Sequence, residues 1–182
     1  MSGRIKIGAA LVAVSLAFIP TGCGGSDAAE KLTEKAIEQG GGGDVDINSE
    51  DGTVKYTDEN GNETEMNVDG EGASLPKDWP ADLAPPDSVT LITSNTSTSG
   101  DEKTMTVLGQ ADGTVSDYVT AIKGQLEDAG YEITQDSTTA VDDGSYAGLT
   151  ATKGDQEVTV TIASDASSSA KVSLTMTISG PA

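Results

Sequence analysis

The feature that most constrains the fold of this chain is an alternation of apolar and polar residues, interrupted by turn sequences, in its C-terminal half. Residues 157–164 and 171–179 show it most clearly, with apolar positions at Val158, Val160 and Ile162 and at Val172, Leu174, Met176 and Ile178. Successive side chains of a strand point to opposite sides, so period two predicts strands with one buried face. The tight-turn sequence at residues 153–156 predicts that the strands around it pair antiparallel.

The remaining segments of this half complete the predicted fold. Residues 89–93 and 105–110 are predicted strands joined by a polar Ser/Thr loop, and residues 131–136 and 146–152 are two more. Between them, Thr114 and Asp117 have the spacing of a helix N-terminal capping box. The helix has one apolar face and ends at Gly130, and that face contains Val115, Tyr118, Val119, Ile122, Leu126 and Ala129. Residues 88–182 are therefore predicted to be an α+β domain with a single antiparallel sheet, one packed helix and the order β-β-α-β-β-β-β.

Residues 44–70 alternate in the same way, with Asp-Gly and Asn-Gly turn sequences at 51–52 and 60–61. They predict a small three-stranded β-meander, because Asn-Gly between alternating segments is a strong hairpin signal. One face carries the apolar set Val45, Ile47, Val54, Tyr56, Met66 and Val68. The other face carries Asp44, Asp46, Asn48, Glu63, Glu65, Asn67 and Asp69. Six apolar side chains are too few to form a core for three strands. We therefore expect the meander to pack against a short helix at residues 27–39 or against the next domain.

Residues 71–87 form a Pro-rich linker, with four prolines around the single tryptophan, Trp79. Proline at this density favours an extended polyproline II conformation and predicts a spacer. Trp79 is either a packing anchor onto a flanking unit or an exposed recognition residue, and packing is the commoner role of a lone aromatic.

The N-terminus has the composition of an export signal. Arg4 and Lys6 precede an apolar run at residues 7–19, and small residues follow it. The run is too short to span a bilayer as a helix, which needs about 20 residues. Residues 1–22 are therefore predicted to be a signal peptide that ends at Cys23, the only cysteine in the chain.

Thr21, Gly22 and Cys23 resemble the end of the lipobox of bacterial lipoproteins, with Pro20 where that motif usually has Leu, Ile or Val. The resemblance implies that the Cys23 thiol receives diacylglycerol and that Cys23 becomes the mature N-terminus. The alternative is a secretory signal with an incidental free cysteine. Two acyl chains anchor a protein stably, so the expected location is the extracytoplasmic side of the cell membrane.

The order of the segments is similar to that of uncharacterised membrane-anchored lipoproteins of actinobacterial type. It consists of the lipobox, a lipid-anchored spacer with a short helix at residues 23–43, the acidic meander, the Pro-rich linker and the strand–helix–strand domain. The resemblance implies no catalytic or ligand-binding residue.

The chain of 182 residues has 30 acidic and 10 basic residues, a formal net charge of −20, and no histidine. Such a charge repels nucleic acid and anionic headgroups, so we expect no nucleic-acid partner and membrane attachment through the acyl chains on Cys23 alone. Without histidine or a second cysteine, the usual nucleophilic triads and zinc patterns cannot form. We therefore expect no enzyme activity, no catalytic residue and no cofactor. A carboxylate-based glycan hydrolase is a less favoured alternative, because the C-terminal domain has only three tyrosines to serve as sugar platforms.

The acidic face of the meander is the one candidate metal site. Asp44, Asp46 and Asn48 share one side of a strand, as do Glu63 and Glu65 on another. Oxygen ligands at this density predict weak Ca²⁺ binding, in about the millimolar range of extracellular modules, whereas the simpler interpretation is a solvated, self-repelling face. The sequence thus predicts a lipid-anchored, non-catalytic binding module with an envelope protein or glycan as partner. A Ca²⁺-responsive spacer is the alternative.

Overall fold

The computed structural model describes residues 43–48, 52–68, 72–141, 144–165 and 171–182. The predicted signal peptide, Cys23 and the predicted helix at 27–39 lie outside the described residues.

The described chain forms one sheet of nine strands and one helix, named α1. The strands are β1 Asp44–Asn48, β2 Thr53–Thr57, β3 Glu63–Asn67, β4 Thr90–Ser99, β5 Glu102–Asp112, β6 Glu132–Val141, β7 Gly144–Lys153, β8 Gln156–Asp165 and β9 Lys171–Pro181. Helix α1 is Val115–Asp128, and Ala81–Leu83 is a single 3₁₀ turn. The predicted single antiparallel sheet with one packed helix is confirmed.

The strand order is β1-β2-β3-β4-β5-β9-β8-β7-β6, and every neighbouring pair is antiparallel. Helix α1 carries the chain from β5 to the far edge at β6. The chain then returns strand by strand until β9 lies beside β5. The C-terminal order β-β-α-β-β-β-β follows the prediction.

Helix α1 packs on one face of the sheet, which we call the helix side. Its N-terminus is capped by Thr114, whose side chain accepts a hydrogen bond from the Asp117 amide at 3.2 Å, and Gly130 ends it with φ +83°. Val115, Tyr118, Ile122 and Leu126 are buried against the sheet. The strand residues beneath them include Met105, Val107, Leu149, Val158, Val160, Ile162, Val172, Leu174, Met176 and Ile178. The predicted alternation therefore places these apolar residues in one core.

Strands β4 and β5 are longer than the sequence pattern predicts. The expected Ser/Thr loop between them is wrong, because Ser94–Ser99 continue β4 and Glu102–Thr104 begin β5, with the turn at Gly100 and Asp101. Threonine is β-branched and fits a half-exposed strand surface as well as it fits a loop. Strand β6 likewise runs on to Val141, beyond the predicted end at residue 136.

The meander forms as predicted, but it extends the same sheet edge to edge. Strand β3 pairs with β4, with Met66 opposite Asn95 and Glu65 opposite Thr96. Because Met105 and Val107 of β5 face α1, Asn95, which pairs with Thr106 between them, points away from α1, and so does Met66. The apolar face of the meander therefore lies on the side opposite the helix, and its acidic face lies on the helix side.

The Pro-rich segment packs on the domain rather than forming an extended spacer. Trp79 is 8% exposed and Leu83 is fully buried, both within the core cluster that includes α1. The Trp79 indole Nε1 donates a hydrogen bond to the Leu83 carbonyl at 2.9 Å. The side chain of Gln125 in α1 donates to the carbonyl oxygens of Asp82 and Ala84. Trp79 therefore acts as a packing anchor, the first of the two predicted roles.

Candidate interaction surface

The sheet surface that faces away from α1 has an unusual composition, and we call it the open face. The strand registers define three rows of directly paired residues across it. The first row is Ile47, Val54, Met66, Asn95, Thr106, Thr177, Thr159, Thr150 and Gln135. The second is Thr93, Leu108, Thr175, Thr161, Gly148 and Ser137, and the third is Thr90, Gln110, Ser173, Ala163, Tyr146 and Thr139.

None of the residues in these three rows is charged. The chain as a whole has 30 acidic residues, so the absence of charge is specific to this surface. The nearest charged side chains on the same face lie at its margins, for example Glu157 opposite Ser179 and Asp112 opposite Lys171. Exposed surfaces normally carry charges of both signs, so a neutral face of this extent in so acidic a chain is the main candidate for binding.

Hydroxyl groups dominate the centre of the open face. Thr106 and Thr177 share a hydrogen bond between their Oγ1 atoms at 3.1 Å. The Ser173 hydroxyl donates to the Ala163 carbonyl at 3.3 Å. A hydroxyl both donates and accepts, so threonines that are half-buried on neighbouring strands still offer hydrogen-bonding capacity to an approaching partner.

The meander end of the open face is apolar. Met66 is 40% exposed and Val68 is 51% exposed. Tyr146 is 48% exposed at the opposite end of the face. Exposed apolar groups that gather on one surface mark interaction sites more often than scattered ones do.

The sequence contains a signal for this face, although it is not a catalytic motif. Threonines recur two residues apart in β5, β7, β8 and β9, at 104 and 106, 150 and 152, 159 and 161, and 175 and 177. Residues at i and i+2 of a strand share a face. Only the strand order, which places these four strands side by side, turns the repeats into one surface.

The structure places the predicted Ca²⁺ ligands on one face of the meander, where Asp46, Asn48 and Glu65 line a depression of about 280 Å³ together with Lys55. Asp46 of β1 and Glu65 of β3 are each paired with Lys55 of β2, which lies between them. Asp44 and Glu63 are separated in the same way by Thr57. The backbones of β1 and β3 lie two strand spacings apart, about 10 Å, whereas the oxygen ligands of Ca²⁺ lie about 2.4 Å from the ion.

The remaining predicted ligand, Asn48, is paired with Thr53 of β2. The Lys55 ammonium lies 3.3 Å from the Glu65 carboxylate, so the centre of the acidic face holds a cation of the protein itself. The described residues contain no group of three carboxylates that could hold a metal.

A cleft of about 370 Å³ opens on the helix side between the meander and the Pro-rich segment. Lys55, Lys77 and Lys103 line it, together with Glu63, Glu65 and Asp78. Lys103 forms an ion pair with Asp78, and its hydrogen bond and positive charge hold the pKa of the Asp78 carboxyl below its usual value. Positive and negative groups balance in this cleft, so it favours neither an anion nor a cation.

Two described carboxyl groups have a pKa that departs from the usual value, and in both it is lowered. A glycan hydrolase needs one carboxyl with a raised pKa and a second carboxylate facing it. The pKa of Asp58 is lowered by hydrogen bonds from Asn62 and Asn60, and that of Asp78 is lowered by Lys103. A shallow depression of about 400 Å³ gathers Asp101, Glu102, Asp155 and Glu157 without an aromatic side chain in its lining.

Comparison with protein-family models, with curated proteins and with solved structures finds no match to this chain. Within the part of the chain that the structure describes, no helix has both the length and the apolar character needed to cross a membrane.

Proposed function

We propose that the protein is an exported lipoprotein, anchored through Cys23, that acts as a non-catalytic binding module and uses the open face to meet its partner. The observation that carries the proposal is the neutral, hydroxyl-rich surface on a chain with a net charge of −20. The export signal and the lipobox-like residues 21–23 support the location.

A rigid scaffold supports this surface. The strands beneath it are buried on the helix side by α1, with Val158, Val160 and Met176 fully inaccessible to solvent. A sheet fixed in this way presents its side chains with little conformational freedom, and such preorganisation lowers the entropic cost of binding. The partner that fits is a neutral surface of an envelope protein or glycan.

The two alternative functions receive less support from the geometry. A Ca²⁺-responsive spacer requires carboxylates that converge, whereas β2 and Lys55 separate those of β1 and β3. A glycan hydrolase requires a raised carboxyl pKa, whereas those of Asp58 and Asp78 are lowered.

Site-specific photo-cross-linking in the native envelope tests the binding surface. A photoreactive residue at Thr159, which is exposed in the first row of the open face, should yield adducts that the same residue at Thr120 does not yield. Thr120 is the matched control, since it is an exposed threonine on α1, on the other side of the molecule. Identical adducts at the two positions would reject the open face as the binding surface.

Membrane fractionation tests the anchor independently. Cys23→Ala should release the protein from the membrane fraction, because the thiol that receives the lipid is gone. A variant that partitions with membranes as the wild type does would show that Cys23 is not the anchor.

A further inference from the structure

We propose that the partner of the open face is a second copy of this chain, and that the two sheets pack face to face as a symmetric dimer. The inference rests on the proposed function, in which the open face is the binding surface, and it names the occupant.

Electrostatics limit where two such chains can meet. Each copy carries a net charge of −20, and like charges brought together in an interface oppose association. The helix side carries Asp46, Glu63 and Glu65 on the meander, and Glu127 and Asp128 are exposed on α1. The three rows of the open face contain no charge at all. Two copies can therefore approach through the open face without placing carboxylates against each other.

The area of the open face reaches the lower end of the range for specific interfaces. The first row crosses all nine strands, which is eight interstrand steps of about 4.8 Å, and the second and third rows each cross six strands, which is five steps. With roughly 7 Å between rows along the strands, the three rows cover roughly 600 Å² for each copy, at the lower end of the area per partner of specific protein–protein interfaces. Twisted sheets pack face to face at about −30°, as in β-sandwiches, so a continuous sheet surface is suited to this contact.

The distribution of side chains selects one arrangement. A two-fold axis that lies in the plane of the interface and runs across the strands places the meander end of one copy over the meander end of the other. Met66 and Val68, which are 40% and 51% exposed, are then buried against their symmetry mates, and removing this apolar area from water favours association. The threonine rows meet the threonine rows, where each hydroxyl can donate to or accept from its counterpart.

Sedimentation velocity of the full chain in detergent, over a series of protein concentrations, tests the dimer. The wild type should shift from monomer to dimer as concentration rises. Thr159→Glu should weaken dimerisation at least tenfold, because the two-fold axis brings two new carboxylates into one neutral interface. Thr120→Glu adds the same charge on α1 and should leave the dimer unchanged, and the unfolding midpoints of both variants serve as controls for folding.

Met66→Glu provides a second test at the apolar end and should also weaken the dimer. A wild type that stays monomeric at every concentration would overturn the proposal, as would a dimer that Thr159→Glu and Met66→Glu leave intact. A monomeric wild type would also overturn it, and would identify lipid as the occupant, if the Cys23→Ala protein, which has no acyl anchor, still binds phosphatidylcholine vesicles and loses that binding when Thr159→Glu is added. A monomeric wild type with Thr159-specific adducts to another envelope component would reject the dimer and leave the proposed binding function standing.

Discussion

The two ends of the sheet use the same alternation of apolar and polar residues but orient it in opposite directions. In β5 and β7–β9 the apolar residues face α1, and threonines occupy the open face. In β1–β3 the apolar residues occupy the open face, and the carboxylates lie on the helix side. The side chains that cover each end explain the difference, because α1 contacts β6, β7 and β8 and has no comparable contact with the meander.

This contrast shows that period two identifies a strand without identifying the face that will be buried. The apolar set of the C-terminal strands is buried because other elements cover it. At the C-terminal end, Ile122 and Leu126 of α1 cover the apolar residues of the sheet. Trp79 and Leu83 of the Pro-rich segment belong to the same core. At the meander end Met66 is 40% and Val68 is 51% exposed, whereas Val45 on the same face is 6% exposed.

Trp79→Ala should produce the largest loss of stability, because it tests whether the covered core extends into the Pro-rich segment. Replacing a buried tryptophan by alanine typically lowers the free energy of unfolding by about 3–5 kcal/mol. The measurement is urea unfolding followed by circular dichroism. Trp79→Phe retains most of the apolar contact and loses the Nε1 hydrogen bond to Leu83, so it should cost clearly less. A Trp79→Ala protein as stable as the wild type would show that this segment is only a linker.

Met176→Ala and Met66→Ala compare the two ends with one substitution. Met176 is fully buried beneath α1, and its truncation should lower the free energy of unfolding by about 2–5 kcal/mol. Met66 is 40% exposed on the open face, and substitutions at exposed positions usually stay within about 0.5 kcal/mol. Urea unfolding at a low protein concentration, where monomers dominate, measures both. Equal losses in the two variants would contradict the opposite orientation of the two ends.

Calcium should have a smaller effect, confined to the acidic face of the meander. Since Lys55 separates Asp46 from Glu65, CaCl₂ and NaCl at matched ionic strength should shift the amide NMR signals of residues 44–68 equally, by screening alone. Ca²⁺-specific shifts that saturate at millimolar concentration would show that the carboxylates do converge on an ion. They would favour the spacer hypothesis.

The smallest predicted effect is the pH dependence of the β2–β3 turn. The Asp58 carboxylate accepts hydrogen bonds from the Asn60 amide at 2.8 Å and the Asn62 amide at 2.9 Å. Hydrogen bonds from Asn62, and then from Asn60, lower its pKa in the folded state. The stabilisation is therefore complete above the unfolded value of about 3.9 and is lost as the pH falls through the lower folded pKa.

The amide signals of Asn60 and Asn62 should accordingly titrate with a midpoint below about 3.9. Asp58→Asn is the control that removes the titrating group, and it should abolish this transition. A midpoint at or above the unfolded value in the wild type would contradict the hydrogen-bonded turn.

Much of the fold follows from local chemistry in the sequence. The cap at Thr114, the helix end at Gly130 and the turn at residues 153–156 are local signals, and each lies where it was predicted. The length of β4 could not be predicted, because serine and threonine at residues 94–99 suit a loop and a half-exposed strand equally. The sequence leaves two hypotheses for Trp79, because packing against residues distant in sequence decides whether it is buried.

The candidate surface is less accessible to sequence reasoning than the fold. Each Thr-x-Thr repeat is visible within its own strand, for example at 159 and 161 or at 175 and 177. The repeats form one surface only because β9 lies between β5 and β8. No local pattern specifies this long-range pairing. The Ca²⁺ hypothesis shows the reverse case, because the sequence pattern puts the carboxylates on one face and only the strand order shows that Lys55 of β2 lies between Asp46 and Glu65.

The register of β3 against β4 is the most direct test of the account, because it sets the face on which the meander exposes its apolar residues. Cross-strand backbone nuclear Overhauser effects in the full chain measure it. The account predicts contacts that place Met66 opposite Asn95 and Asn95 opposite Thr106. A slip of one residue exchanges the two faces of a strand, so contacts that place Met66 opposite Ser94 or Thr96 would turn it to the helix side and contradict the account.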